Sequence, residues 1–159
     1  MRGLGGKGMG EVIKKHVLPN KDRSLLTAYH DLFDLAAVGA LFLDSEGSIL
    51  EANRLGCELF GYTHAEICTL SIHDLITNDD LSQNPLRLHK MSLEKTDVFE
   101  RQMRRKDTST FTVEVQGRKL SDSLFLEIVR DISQQKETIK ALRLVEDRYR
   151  RFVEMANEG

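Results

Sequence analysis

Cysteine is scarce in this chain of 159 residues, with Cys57 and Cys68 the only two. Their separation is neither a disulfide framework nor a zinc-ligand spacing, so a reducing, cytoplasmic setting is the default expectation. No apolar run approaches the roughly 18 residues needed to cross a bilayer, and the amino terminus lacks the apolar core of a secretory signal. An excess of one charge is also missing: 23 Lys and Arg stand against 25 Asp and Glu, for a net charge of −2. Such a balance gives no global attraction to nucleic acid or membrane. Catalytic sets are absent too. No serine, histidine and acid arrangement has triad character, and Asp44, Glu46 and Glu51 read as an ordinary turn and strand-end set rather than an acid–base pair. No enzyme, catalytic residue or metal ligand is therefore assigned.

What is present suffices for one core, at 40% apolar and 30% charged residues. Residues 1–21 form a basic, glycine-rich leader. Its Gly3-x-Gly5-x-x-Gly8 matches the dinucleotide fingerprint only formally, because no strand precedes it. Asp22 or Ser24 can cap a helix over 22–36, whose apolar positions Leu25, Tyr29, Leu32 and Phe33 recur at helical spacing. The run Val38 to Leu43, the turn Asp44-Ser45-Glu46-Gly47 and the run Ser48-Ile49-Leu50 then predict a strand pair. A short helix follows, opened by Asn53 and closed by Gly61-Tyr62.

Helix starts come next. Thr63-x-x-Glu66 is a capping box, and Ser71-x-x-Asp74 is a weaker one. Asn84-Pro85 predicts a helix over 85–94, with Leu86, His89 and Leu93 on one face. From Thr96 the pattern turns to strands, at Val98 to Lys106, Phe111 to Leu120 and Leu124 to Ile132. Phe111, Val113 and Val115 alternate with polar residues, as in a half-buried antiparallel strand. Five strands with helices inserted after the second make an α+β architecture, an antiparallel sheet with short helices on one face. A long helix over 133–156 closes the chain, and its Leu142, Val145, Tyr149, Phe152 and Ala156 form a two-heptad seam.

These parts resemble the PAS domain family. The match runs from about residue 25 to 133: the opening strand pair, then Asn53 with Leu59 and Gly61-Tyr62, Arg105-Lys106-Asp107 at a hairpin, and Arg130-Asp131-Ile132-Ser133 at the end of the last strand. The family's glycine after Lys-Asp is Thr108 here, a β-branched residue poorly suited to positive φ. The domain is set at 37–132, and 133–159 is read as a signalling helix running into the start of a second PAS domain. Such a chain would be part of a larger signalling protein of the two-component kind.

The resemblance implies a sheet curled around a cavity, with Phe42, Leu59, Ile72, Leu75, Leu88, His89, Met91, Phe111, Val113, Phe125 and Ile128 as candidates for its lining. It also implies that Asp131 and Ser133 couple the sheet to the exit helix. The same apolar residues equally suit a core packed solid, which would make the domain a ligand-free dimerisation or relay module. The cofactor is left unknown. Haem-binding relatives use a histidine near His89, but here it lies closer to the next strand and beside Lys90. The light-sensing flavin branch needs an Asn-Cys-Arg-Phe-Leu type stretch, which this sequence lacks. Cys57 and Cys68 have no cationic cluster beside them and read as structural thiols. Arg101, Arg104, Arg105 and Lys106 have no interleaved aromatics for base stacking, and are read as a solvated strand edge. The expected partners are a second copy, through the two flanking helices, and an output domain such as a histidine kinase or diguanylate cyclase.

Overall fold

A computed structural model describes residue 28 and residues 31–158. The leader, with its glycine motif, and most of the proposed 22–36 helix lie outside the described residues; residues 31–35 are helical. Five strands form one antiparallel sheet: β1 (Gly39–Leu43), β2 (Ile49–Ala52), β3 (Asp97–Arg104), β4 (Thr110–Ser121) and β5 (Leu124–Asp131). Their spatial order is β2-β1-β5-β4-β3, with the first strand beside the last. Four short helices separate β2 from β3: α1 (Arg54–Phe60), α2 (His64–Ile67), α3 (Ile72–Leu75) and α4 (Asn78–Gln83). A long helix, α5 (Ser133–Asn157), follows β5 directly. The α+β reading therefore holds.

Local chemistry accounts for these boundaries. In the β1–β2 turn, Asp44 Oδ1 accepts from the backbone N–H of Glu46 and Ser48, both at 2.9 Å. Gly47 supplies the positive φ that closes the turn. Asn53 caps α1 and Gly61 ends it in the left-handed conformation. Both predicted capping boxes form, Thr63 with Glu66 and Ser71 with Asp74. In β4 the alternation puts Phe111, Val113 and Val115 in the interior.

Two expectations need correction. Residues 85–94 do not form a helix: Asn84 ends α4 instead of capping a new one, and only Leu88–Lys90 makes a 3-10 turn. Proline is as much at home just past a helix C-terminus as at its first position, so Asn84-Pro85 carries either meaning. The second concerns Arg101, which is buried rather than solvated.

Thr108 does take the glycine conformation of the β3–β4 hairpin, at φ 71°. Arg105 and Ser109 bracket it by a backbone hydrogen bond of 2.8 Å, so the turn accommodates the threonine at the cost of strain. Thr108→Gly is expected to raise stability by about 1 kcal/mol, the left-handed penalty of a side chain less the entropy that glycine adds to the unfolded chain. Urea unfolding of the two proteins measures it. A destabilised variant would show that the threonine is not strained.

Candidate functional site

The helices pack on one face of the sheet, and side-chain parity decides which residues meet there. From β1, Leu41 and Leu43 point into that face; from β5, Phe125 and Val129 do the same. Ile72 and Leu75 of α3, Leu88 of the 3-10 turn, and Phe111 and Val113 of β4 join them in one buried cluster. Leu59 and Met91 are partly buried against it. Eight of the eleven proposed lining residues are thus brought together.

Phe42 and Ile128 are not. They share the opposite face with Leu32, Phe33 and Leu126, around a shallow space of about 250 Å³, and the Phe33 and Phe42 rings lie 5.2 Å apart. His89 is exposed on its 3-10 turn and so offers no interior axial ligand to a haem. Phe60, rather than the neighbouring Leu59, is the fully buried aromatic of α1. It meets Phe111 edge-on at 5.7 Å.

An open cleft of about 340 Å³ borders the cluster between β3 and the segment after α4, lined among others by Leu86, Leu88, Met91, Phe99 and Arg101. Arg101 donates to Asp80 Oδ2 at 2.8 Å and to the carbonyl of Asn84, and so ties β3 to the end of α4. Its guanidinium also lies 5.5 Å from the Phe99 ring centre. At one end of the cleft Met91 lies across Gly117: a Cβ built on that glycine would fall 2.1 Å from the Met91 methyl carbon. Gly117 pairs in register with Glu127.

Glu127 is the residue that sequence reasoning missed. It occupies an inward position of β5 and is 1% exposed. Burial pushes its carboxyl up to about 7, against the opposing pull of the Arg101 charge. The available signal was the acid itself, in phase with Phe125 and Val129.

The far end of β3 and β4 meets the root of α5. Arg105 donates to Asp131 Oδ2 at 2.8 Å and to the Leu59 carbonyl at 3.0 Å, with its guanidinium 3.7 Å from the centre of the Phe111 ring. Asp131 Oδ1 accepts from the Ser133 N–H at 2.9 Å. The Ser133 hydroxyl in turn accepts from the Thr112 N–H at 3.1 Å. The two residues singled out at this junction therefore bond to α1, β3 and β4 through Arg105 and Thr112. Beyond it, α5 buries none of its residues, and Leu142, Val145, Tyr149 and Phe152 stand exposed along its length.

Both thiols are pushed up by burial and by the Glu51 charge, Cys68 to about 11. They are therefore poorly suited to act as reactive thiolates. Among the described residues no helix is long and apolar enough to cross a membrane.

Comparison with known proteins agrees with this architecture. The PAS domain model matches residues 37–134. Sporulation kinase E of Bacillus subtilis (strain 168) is 24% identical over 154 residues, which is 95% of this chain and 21% of that protein. The chain thus spans about a fifth of the length of this curated relative. The crystal structure of the PAS domain of an HTR-like protein from Haloarcula marismortui has 28% identity and a TM-score of 0.59, covering 69% of this chain and 93% of the other. A domain of a sensory box sensor histidine kinase/response regulator from Geobacter sulfurreducens has 29% identity and a TM-score of 0.57, covering 66% and 92%. With a family model matching well over half of its length and the strand order and junction described above, the chain belongs to the PAS domain family.

Proposed function

We propose that this domain is the non-catalytic, cytoplasmic sensory module of a larger signalling protein. It takes a small ligand at the cleft beside Met91 and passes the change through α5 to an output domain. The observation that carries this reading is that one strand touches both places. β3 sets Phe99 and Arg101 in the cleft, and Arg105, just beyond its end, grips Asp131 at the root of α5. A ligand that displaces Met91 from Gly117 or competes for Arg101 strains β3 and β4, and the Arg105–Asp131 and Thr112–Ser133 bonds hand that strain to the helix. The cleft sets the apolar Leu86, Leu88, Met91 and Phe99 beside charged groups such as Arg87, Lys90, Asp97 and Arg101, a mixed lining that suits a small amphipathic molecule.

Kinship with sensor kinases supports a histidine kinase as the output; a diguanylate cyclase is the other candidate. The exposed seam of α5 supports pairing with a second copy, since the uncovered apolar stripe from Leu142 to Phe152, about 15 Å long at 1.5 Å per residue, is unfavourable in water. In the same reading, residues 133–159 lead towards a second PAS domain.

A second reading has its own support. The inner cluster is packed to within a few per cent of full burial, as a ligand-free relay would be. Native mass spectrometry of freshly purified protein separates the two. The sensor is expected to carry a co-purifying small molecule or to gain one, with a thermal shift, from a metabolite screen. A bare chain that binds nothing in that screen supports the relay instead. Light scattering is expected to give a dimer; a monomer at high concentration would rule out pairing through α5.

A further inference from the structure

Away from the cleft, the end of β2 and the helices after it bring three different metal-ligating groups together. Glu51 lies in β2, His64 is the first residue of α2, and Cys68 is that helix's C-cap. The Thr63 capping box fixes where α2 begins, and residues four apart share a helical face. His64 and Cys68 are therefore both turned towards Glu51. Ligand atoms of all three residues lie within 4.8 Å of one another, and Cys68 Sγ is 3.8 Å from His64 Nε2. Nitrogen and sulfur ligands of a tetrahedral zinc ion stand about 3.6 Å apart, given bonds of about 2.1 and 2.3 Å. That pair is already close to coordination spacing.

The second observation concerns the carboxylate. Glu51 is 2% exposed. Its Oε1 bonds to His64 Nε2 and accepts from the Ala52 N–H, yet its Oε2 is buried with no hydrogen-bond partner. An interior carboxylate oxygen left bare is costly, and a histidine–carboxylate bond on the other oxygen does not relieve it. A cation between the three groups does.

We propose that Glu51, His64 and Cys68 bind one zinc-class transition-metal ion. The mixed oxygen, nitrogen and sulfur set selects zinc or cobalt over magnesium or calcium, which take oxygen ligands. His64 is half exposed, so the fourth position faces the open space of about 730 Å³ that Glu51, Cys57, His64 and Lys106 help to line. On loading, the direct His64–Glu51 bond opens. The imidazole proton that Nε2 shares with Glu51 moves to Nδ1 by exchange with solvent, so the neutral ring offers the Nε2 lone pair. The Cys68 S–H bond is replaced by a metal–sulfur bond, its proton passing to the buffer. The ion would join β2 to α2 with no contact to Met91 or α5, so the site stands or falls independently of the sensory reading.

Cobalt(II) titration of the chelator-stripped full chain tests this. Saturable one-to-one binding is expected, with thiolate-to-cobalt charge-transfer absorption in the near ultraviolet, visible bands of tetrahedral intensity, and displacement by stoichiometric zinc. Cys68→Ser should abolish the charge-transfer band. His64→Gln should weaken binding by at least the roughly 10- to 100-fold that loss of an outer partner costs. Both positions are at least partly exposed, and unchanged far-ultraviolet circular dichroism will show that the variants fold. Glu51→Gln should weaken binding similarly. Absence of saturable binding, binding without the thiolate band, or a band that survives Cys68→Ser but is lost in Cys57→Ser would overturn the assignment.

Discussion

At pH 8, Glu127→Gln is expected to stabilise the folded domain by about 3 kcal/mol, while at pH 5 it should change stability by much less. The carboxyl of Glu127 ionises at about 7 in the folded chain, against an ordinary value of 4.5, because it is buried on the inner face of β5. A raised carboxyl pKa means that the unfolded chain releases the proton first as pH rises. The contribution of the neutral acid is fully present below pH 4.5, declines as pH rises towards 7, and is lost above that. At about 1.4 kcal/mol per pH unit, the interval amounts to about 3 kcal/mol. Glutamine keeps the shape and cannot ionise, so the variant escapes the penalty. Urea unfolding of both proteins at pH 5 and pH 8 gives the difference directly, and titrations common to both cancel. Equal differences at the two pH values would mean that Arg101 compensates the carboxylate in the folded state and that Glu127 stays charged throughout.

Asn53→Ala is expected to cost about 3 kcal/mol. This side chain is fully buried and uses both ends. Oδ1 accepts from the N–H of Ala40 at 2.9 Å and of Gly56 at 2.8 Å. Nδ2 donates to the carbonyls of Phe33 at 3.0 Å and Val38 at 2.9 Å. Alanine removes the N-cap of α1, worth about 1 kcal/mol, and strips partners from interior backbone groups that cost about 1–3 kcal/mol each when left bare. Because Asn53 also holds the Phe33 carbonyl, hydrogen exchange should show faster opening of residues 31–35 in the variant. A loss below about 1 kcal/mol would mean that water takes over the four bonds.

Much of the fold is legible in the residues themselves, because its signals are local. The alternation of β4, the acid–glycine turn after β1 and the two capping boxes each rest on neighbours within a few positions. The face of a strand is a different matter. Gly-Ala-Leu-Phe-Leu of β1 is apolar in both phases, so period two says which residues share a face but not which face the helices cover. In β5 the mid-strand acid Glu127 sits in the inward phase with Phe125 and Val129, while Leu126 and Ile128 take the outer one. Polarity alone therefore points the wrong way, and Phe42 and Ile128 are assigned to the interior when they belong to the other face.

The candidate sites divide similarly. Asp131 and Ser133 can be singled out in the sequence because their motif is contiguous, and their bonds lie at the start of α5. Arg101 reads as one charge of a basic hairpin, and only the packing of α4 against β3 buries it beside Asp80. Glu51 reads as a strand-end acid, and the spacing of Cys57 and Cys68 excludes a metal as long as only cysteines are counted. His64 and Cys68 at i and i+4 were the local hint, but their meeting with Glu51 depends on how α2 folds back on β2.

By itself, the sequence determines the α+β class, the order of elements, the strained turn at Thr108 and the junction at which the sheet ends in a helix. Each depends on backbone preference and hydrogen bonding over a few residues. The tertiary structure alone decides which face is covered, that Glu127 is held inside near Arg101, and that Glu51, His64 and Cys68 converge. Burial and long-range proximity are properties of the packed chain, and no local pattern encodes them.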